Sequence, residues 1–292
     1  MPMNHTSVRS KHDYLPTPKS LSSVLVATLL WGCGLPDIEP REPEEPPEVE
    51  ITRFPLHELF TGSNCGPCLD ADEKLLDVLY DNPGEYTLIS HQIGSDPYIS
   101  GEGVARRMYY LPEDAGSYSI PYLHVDGVNE LHPHLANEEL GYLQEEFDLF
   151  QAQPSSMRLE VSHTLSGQTL SISTTLQASV DYPSEELRLR VAIVEKLTTL
   201  NVGSNGQTEF HQVMKKMVPD EHGTELPPLL EGEELSFDFS YTFQGEYDPE
   251  TGIHSQVNHE LAHTVEEFED LAVVVFVQDD ATWRVHQSAQ SD

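Results

Sequence analysis

Two cysteines separated by two residues are the part of this 292-residue chain best suited to chemistry. In Cys65-Gly66-Pro67-Cys68 the two thiols can close a small disulfide ring or bind a metal ion. Where such a pair lies between a strand and a helix, the positive end of the helix lowers the pKa of the first thiol. A lowered pKa makes that thiol a nucleophile near neutral pH, so the spacing predicts thiol chemistry.

The apolar pattern predicts the elements that hold this pair. A strand is expected at residues 51–60, before the cysteines, and a helix at residues 68–80, after them. The leucines of that helix share one face and the acidic residues lie on the other. These leucines are Leu69, Leu75, Leu76 and Leu79. The same pattern predicts strands at residues 86–93 and 119–127, the latter ending in an Asp-Gly turn, and helices at residues 101–110 and 137–150.

Residues from 155 onward change character. Short strands with period-two alternation, joined by turns such as Ser166-Gly167, predict an antiparallel β-sandwich. Strands are expected at residues 157–161, 170–174, 187–194, 235–241 and 271–277. The adjacent Lys215 and Lys216 predict a solvated strand edge with one lysine paired to an acid. The predicted fold class is therefore an α/β domain at residues 51–152 followed by an all-β antiparallel sandwich domain at residues 155–292.

The first of these domains resembles the thioredoxin fold. Cys-Gly-Pro-Cys has the dipeptide of thioredoxin, and Ile120-Pro121, at the start of an apolar strand, matches the cis-proline segment of that fold. The resemblance implies that Cys65 is the exposed attacking thiol and Cys68 the recessed resolving thiol. It also implies that Pro121 lies against the disulfide, that the backbone of Ile120 pairs with a bound substrate, and that the partner is a protein thiol or disulfide.

The sequence departs from thioredoxin in two places. Asn64 stands where a tryptophan usually precedes the first cysteine, and Leu59 aligns with the buried acid six residues before it. Glu58 lies one place earlier and is expected to point to the opposite face of its strand. Candidates for the proton acceptor of Cys68 are the neighbouring titratable residues Glu58, His57 and His91.

The first 33 residues are similar to an export signal. Basic residues precede an apolar run at residues 21–30, which is too short to span a bilayer as a mature helix. The run ends in Leu30-Trp31-Gly32-Cys33, which resembles the bacterial lipobox and implies a signal peptide at residues 1–33 that ends at a lipidated Cys33. An uncleaved anchor and an ordinary secretory signal with a chance cysteine are the alternatives.

Residues 34–50 are rich in proline and acid and have almost nothing to bury, so they predict a disordered tether. Three further segments, at residues 60–62, 210–217 and 275–280, resemble the twenty-eight-kilodalton outer-membrane-protein family. Its members are bacterial lipoproteins with a thioredoxin-like domain followed by a β-domain. This resemblance implies an outer-membrane lipoprotein in the cell envelope, facing the periplasm or the cell surface.

The charge balance excludes some partners. Fifty acidic residues against 15 basic ones give a formal net charge of −35, which repels nucleic acid and anionic lipid. Membrane contact is therefore expected only through the lipid anchor. Zinc held by Cys65, Cys68 and a histidine, or capture of copper, are alternatives. The Gly-Pro dipeptide and the Ile-Pro segment favour redox use instead, so no metal and no cofactor are expected.

Two functions remain open at this point. The first is thiol-disulfide exchange on extracytoplasmic proteins by an envelope lipoprotein with a redox-active disulfide. The second is a non-enzymatic surface or adhesion lipoprotein, in which the disulfide is structural or vestigial and the sandwich binds the partner.

Overall fold

The computed structural model of the chain describes residues 51–112, 115–135, 141–249 and 256–291. The predicted signal peptide with Cys33, the predicted tether and the first part of the helix expected at residues 137–150 lie outside these ranges. None of the helices described is long and apolar enough to cross a membrane.

Strands and helices alternate in the first half of the described chain. They are β1 (Leu56–Thr61), α1 (Gly66–Asp81), β2 (Thr87–Gln92), α2 (Gly101–Tyr109), β3 (Tyr122–Val125), β4 (Asn129–Leu131) and α3 (Gln144–Gln151). β1 pairs in parallel with β2 and antiparallel with β3, and β3 turns back into β4. The predicted Asp-Gly turn makes this connection. Asp126 and Gly127 both have positive φ, of 51° and 72°, which these two residue types tolerate better than most.

Helix α1 begins directly at the cysteine pair. Cys65 is its extended N-cap residue, and Pro67 lies in the first turn, where a missing backbone N–H costs no helical hydrogen bond. Its buried residues are Cys68, Ala71, Asp72, Leu75 and Leu79. The predicted leucine face is therefore wrong in part. Leu69 and Leu76 are only half-buried. The buried face of the helix is the one that contains Cys68, and at the spacing of three or four residues this face includes Asp72 in place of these two leucines.

Almost all the regular elements in the second half of the described chain are strands. They are β5 (Met157–Ser166), β6 (Thr169–Ala178), β7 (Leu187–Thr198), β8 (Phe210–Val218), β9 (Thr224–Glu225), β10 (Glu234–Thr242), β11 (Glu246–Tyr247), β12 (Ala262–His263), β13 (Leu271–Asp279) and β14 (Val285–Gln290). β10, β6 and β5 form a three-stranded antiparallel sheet. The strands run longer than the alternation predicts because the pairings continue to the turns.

One large mixed sheet contains strands from both halves. Its order is β14-β13-β7-β8-β2-β1-β3-β4, with β9 on β7. β8 runs parallel to β2, where Ser90 lies opposite Val213. Val49–Asp292 accordingly forms one compact unit. The protein is mostly β with few helices, and the boundary at residues 152–155 stays a prediction.

The core lies on both faces of the large sheet. Val273, Val275 and Val277 of β13 pack into the cluster shared with the three-stranded sheet, where Leu159 and Ile172 lie. The alternate residues of the same strand, among them Phe276, pack against Leu56, Ile89 and Met217 on the opposite face. A strand that is buried on both faces is apolar at every position, which explains the unbroken run in β13.

The two adjacent lysines of β8 correct one prediction. Lys215 and Lys216 are both buried, not solvated. Lys215 Nζ lies 3.0 Å from a carboxylate oxygen of Glu195 and 3.9 Å from the ring centre of Tyr98. Lys216 pairs with Glu102 of α2. The predicted solvated edge is wrong because β8 is an inner strand between β7 and β2.

Candidate functional site

The cysteine pair forms a disulfide at the N-terminus of α1. The Cys65 and Cys68 sulfurs are bonded, with their Cα atoms 5.3 Å apart. Cys65 is half-buried, whereas Cys68, in the first turn, is fully buried. A partner molecule therefore reaches the sulfur of Cys65 before that of Cys68.

The loop before β3 lies against this disulfide. The Ile120–Pro121 peptide bond is cis, and the Ile120 carbonyl oxygen is 3.8 Å from Cys65 Sγ. The sulfur carries no hydrogen in the disulfide, so this approach is a van der Waals contact; a reduced Cys65 thiol could donate across it. The structure thus brings Cys65, Cys68 and the Ile120 carbonyl together.

A segment from the second half of the chain closes over the turn before the disulfide. We call residues 203–207, between β7 and β8, the strap. The Asn205 backbone N–H donates to the Ser63 carbonyl (3.0 Å), and its side-chain amide donates to the Cys65 carbonyl (3.2 Å). A Cβ atom on Gly203 would lie 2.5 Å from the Ser63 carbonyl oxygen, so only glycine permits this approach.

Asn64, directly before the first cysteine, anchors the strap. Its side-chain carbonyl accepts a hydrogen bond from the Ser204 backbone N–H (2.9 Å), and its amide donates to the Ser95 carbonyl (2.6 Å). The residue thereby links the strap to the loop that follows β2. Asn64 therefore has a structural role beside the disulfide.

Asp72 places a buried carboxyl one helical turn after Cys68. Its Oδ1 accepts from the Thr61 hydroxyl (2.8 Å), and its Oδ2 accepts from the Gln207 side-chain amide (2.9 Å). Burial raises its pKa to about 7. The two hydrogen bonds oppose this shift, and the charges of Asp96 and Glu73 add to it. A carboxyl that titrates near neutral pH can exchange a proton there.

A second buried acid holds the other side of the turn. Asp96 Oδ2 accepts from the Ser63 backbone N–H (2.8 Å), and Oδ1 accepts from the Tyr98 backbone N–H (2.7 Å). Burial raises the pKa of Asp96, while hydrogen bonds, those from Ser63 among them, oppose the shift. Both carboxylate oxygens of Asp96 thus hold backbone N–H groups, one at Ser63 and one at Tyr98.

Glu58, one predicted proton acceptor, belongs to a different cluster. As expected from strand alternation, it points away from α1 and pairs with Arg106 of α2 at 2.6 Å. Burial opposes its ionisation, but the charge and hydrogen bonds of Arg106, together with His91, outweigh burial and hold the pKa of Glu58 well below its usual range. Near neutral pH this carboxylate is a fixed anion.

The two predicted histidines are engaged elsewhere as well. His57 Nε2 lies 2.7 Å from the Tyr142 hydroxyl, and burial lowers the pKa of His57 to about 4. The His91 ring stacks on Phe60 at 4.8 Å between centroids and contacts Glu58, and burial lowers its pKa too. In the described ranges neither ring hydrogen-bonds to a cysteine. Among the described residues, none of the three predicted acceptors therefore forms a hydrogen bond with Cys68.

No protein family matches this chain, and no curated protein matches its sequence. Its structure is similar to HBP35 of Porphyromonas gingivalis, with a TM-score of 0.60 and 12% identity over 83% of this chain and 76% of that one. It is also similar to protein AGR_C_4864 from Agrobacterium tumefaciens, with a TM-score of 0.51 and 14% identity over 83% and 95% of the two chains. The chain shares their fold.

Sequence reasoning missed Asp72 and the strap. An acid within the apolar stripe of a helix, four residues after Cys68, is the signal that points to Asp72. The strap has no such signal, since Gln207 is 135 residues from the carboxyl it contacts. As to metals, no group of three or more His, Cys, Asp or Glu residues in the part of the chain described here is placed to hold an ion.

Proposed function

We propose that this protein carries out thiol-disulfide exchange on other proteins at a thioredoxin-like site formed by Cys65 and Cys68. One observation carries the proposal: a half-exposed Cys65 at the N-cap of α1 is bonded to a buried Cys68, against the Ile120–Pro121 loop. An accessible sulfur next to a hidden one suits a pair in which the first reacts with a substrate and the second releases it.

The topology supports a thioredoxin-like fold for residues 51–152. The order β2-β1-β3-β4, with β1 and β2 parallel and the other pairs antiparallel, is the one that fold uses, with α1 following the first strand. Together with the strands that follow, it supports the proposed kinship with the twenty-eight-kilodalton outer-membrane-protein family. The β-domain at residues 155–292 is part of that proposal.

The exchange proceeds in two steps. The thiolate of reduced Cys65, stabilised by the helix terminus, attacks one sulfur of a substrate disulfide, and the other substrate sulfur leaves as a thiolate. Cys68 then attacks the Cys65 sulfur of this mixed disulfide. The second substrate sulfur leaves as a thiolate, and the Cys65–Cys68 bond re-forms. The reverse sequence transfers the disulfide to a substrate dithiol.

Replacement of Cys65 by serine is expected to reduce catalysed exchange to the background rate, because serine cannot form the mixed disulfide. The protein without residues 1–33 is reduced with a small thiol, and disulfide reduction in a test protein is followed. Cys68→Ala is expected to accumulate the mixed disulfide. Equal rates for wild type and Cys65→Ser would contradict the proposal and favour a surface-binding protein with a structural disulfide.

We also propose that the protein is anchored in the outer membrane through a lipid on Cys33, and that its acidic body avoids nucleic acid. In cells given labelled fatty acid, wild type and Cys65→Ser are expected to carry the label and Cys33→Ser to lose it. Cys65→Ser is the matched control because the same change is made at a different cysteine. Labelling that survives in Cys33→Ser would show that the anchor is elsewhere.

A further inference from the structure

Asp72 lies on the same buried face of α1 as Cys68. Residues four apart on a helix are neighbours, and their side chains lean towards the N-terminus, so the Asp72 carboxyl lies over the turn that contains Cys68. Cys68 is 0% exposed and Asp72 is 5% exposed. The two groups therefore share one environment that is shielded from solvent.

The position of the Asp72 carboxyl is fixed from two directions. Thr61, at the end of β1, donates to one oxygen, and Gln207 of the strap donates to the other. Within the described ranges no lysine, arginine or histidine forms an ion pair with it. A carboxylate accepts about four hydrogen bonds, so both oxygens keep capacity for a proton.

We propose that Asp72 accepts the proton of the Cys68 thiol when Cys68 resolves a mixed disulfide on Cys65. The inference rests on the proposed exchange function. The proton passes from the Cys68 sulfur to the Asp72 carboxylate, and the resulting thiolate attacks the Cys65 sulfur. The Cys65–Cys68 bond forms, the bond from Cys65 to the substrate breaks, and the substrate leaves as a thiolate that takes up a proton from Asp72 or from water.

The surroundings of Asp72 suit this step. A buried thiol in apolar surroundings resists ionisation, so Cys68 needs an acceptor near neutral pH. The pKa of Asp72 is raised to about 7 by burial, and the negative charges of Asp96 and Glu73 add to the shift. The hydrogen bonds from Gln207 and Thr61 favour the ionised form and limit the rise.

The strap connects this acceptor to the rest of the site. Gln207 holds the Asp72 carboxyl, while Asn205, two residues earlier, holds the carbonyl of Cys65. The second half of the chain thus contacts both the acceptor and the attacking cysteine. Gln207 acts here as a positioning residue, since it favours the carboxylate without touching a sulfur.

The test follows the reactions of the two cysteines as two separate kinetic phases. Reduced wild-type protein is mixed with dithionitrobenzoate, an aromatic disulfide whose thiolate product is coloured. A first phase of colour reports attack by Cys65, and a second phase reports resolution by Cys68. Both rates are recorded as a function of pH.

In wild type the second phase is expected to accelerate as Asp72 ionises near neutral pH. In Asp72→Asn it should be slower at neutral pH, on the order of a hundredfold, which is the lower range for a general base, and should rise only with the thiol's own ionisation. The first phase should persist. Asp77→Asn is the matched control, since it makes the same change at an exposed acid of α1 and should leave both phases unchanged.

Gln207→Met gives a second, independent readout. Loss of the hydrogen bond from Gln207 destabilises the Asp72 carboxylate and raises the pKa of Asp72. The pH midpoint of the second-phase rate is therefore expected to move to higher pH. Second-phase pH profiles that are identical in wild type, Asp72→Asn and Gln207→Met would overturn the inference and leave the exchange function standing. A wild type without a first phase would overturn both.

Discussion

Replacement of Arg106 by methionine is expected to lower the free energy of unfolding by about 3–5 kcal/mol, because it leaves a buried carboxylate without its cation. The guanidinium donates from Nε to Glu58 Oε1 (3.0 Å) and from a terminal nitrogen to Oε2 (2.6 Å). Both side chains are only 1% exposed. Tyr110 donates one further hydrogen bond to the carboxylate, which is too little to replace a full charge.

The loss is measured by urea unfolding at neutral pH. Arg158→Met is the matched control, because Arg158 of β5 is exposed and the same change there should cost well under 1 kcal/mol. The double variant Glu58→Met with Arg106→Met is expected to recover much of the stability, since it removes both buried charges. A loss in Arg106→Met no larger than that in Arg158→Met would show that Glu58 is not held by this pair.

This pair illustrates what the sequence cannot predict. Glu58 and Arg106 are 48 residues apart, and the sequence around either residue does not predict that the other is its partner. Strand alternation predicts the side of β1 on which Glu58 lies, because a period of two is a local property. It does not reveal that α2 supplies a cation on that side, since this follows from how the helix packs on the sheet.

The cysteine pair and the Ile120–Pro121 segment lie at the opposite extreme. Each is a short motif whose residue types indicate thiol chemistry directly, so the sequence predicts their importance before any fold is known. Asp72 was missed because acids on an amphipathic helix usually face solvent. The parallel pairing of β2 with β8 was missed because it joins residues as far apart as Ser90 and Val213.

Acidification from about pH 7 to about pH 5 is expected to destabilise Asp72→Asn more than wild type. Burial lowers the pKa of both His57 and His124 to about 4, so between pH 6.5 and pH 4 the unfolded state binds more protons than the folded state. Stability is therefore lost as pH falls, by about 2 kcal/mol for each histidine at pH 5. The lowered pKa of His91 acts in the same direction.

Asp72 acts in the opposite direction. Its pKa is about 7 in the folded state and 3.8 ordinarily, so the folded state binds more protons and the acid costs stability as pH rises through this interval. Acidification to about pH 5 relieves about 2 kcal/mol of that cost in wild type and none in Asp72→Asn. The offset from Asp72 is present in wild type only, so Asp72→Asn is expected to lose about 2 kcal/mol more than wild type over this pH interval.

Urea unfolding at both pH values measures these differences, and two further variants assign them. His57→Gln should reduce the loss on acidification by about 2 kcal/mol, because glutamine takes up no proton in either state. Asp77→Asn should follow wild type, because it makes the same change at an exposed acid of α1. If wild type and Asp72→Asn lose the same stability between the two pH values, Asp72 has an ordinary pKa in the folded protein. Asp72 would then already be ionised at neutral pH in the folded protein. Its protonation would not offset the stability that the buried histidines lose on acidification.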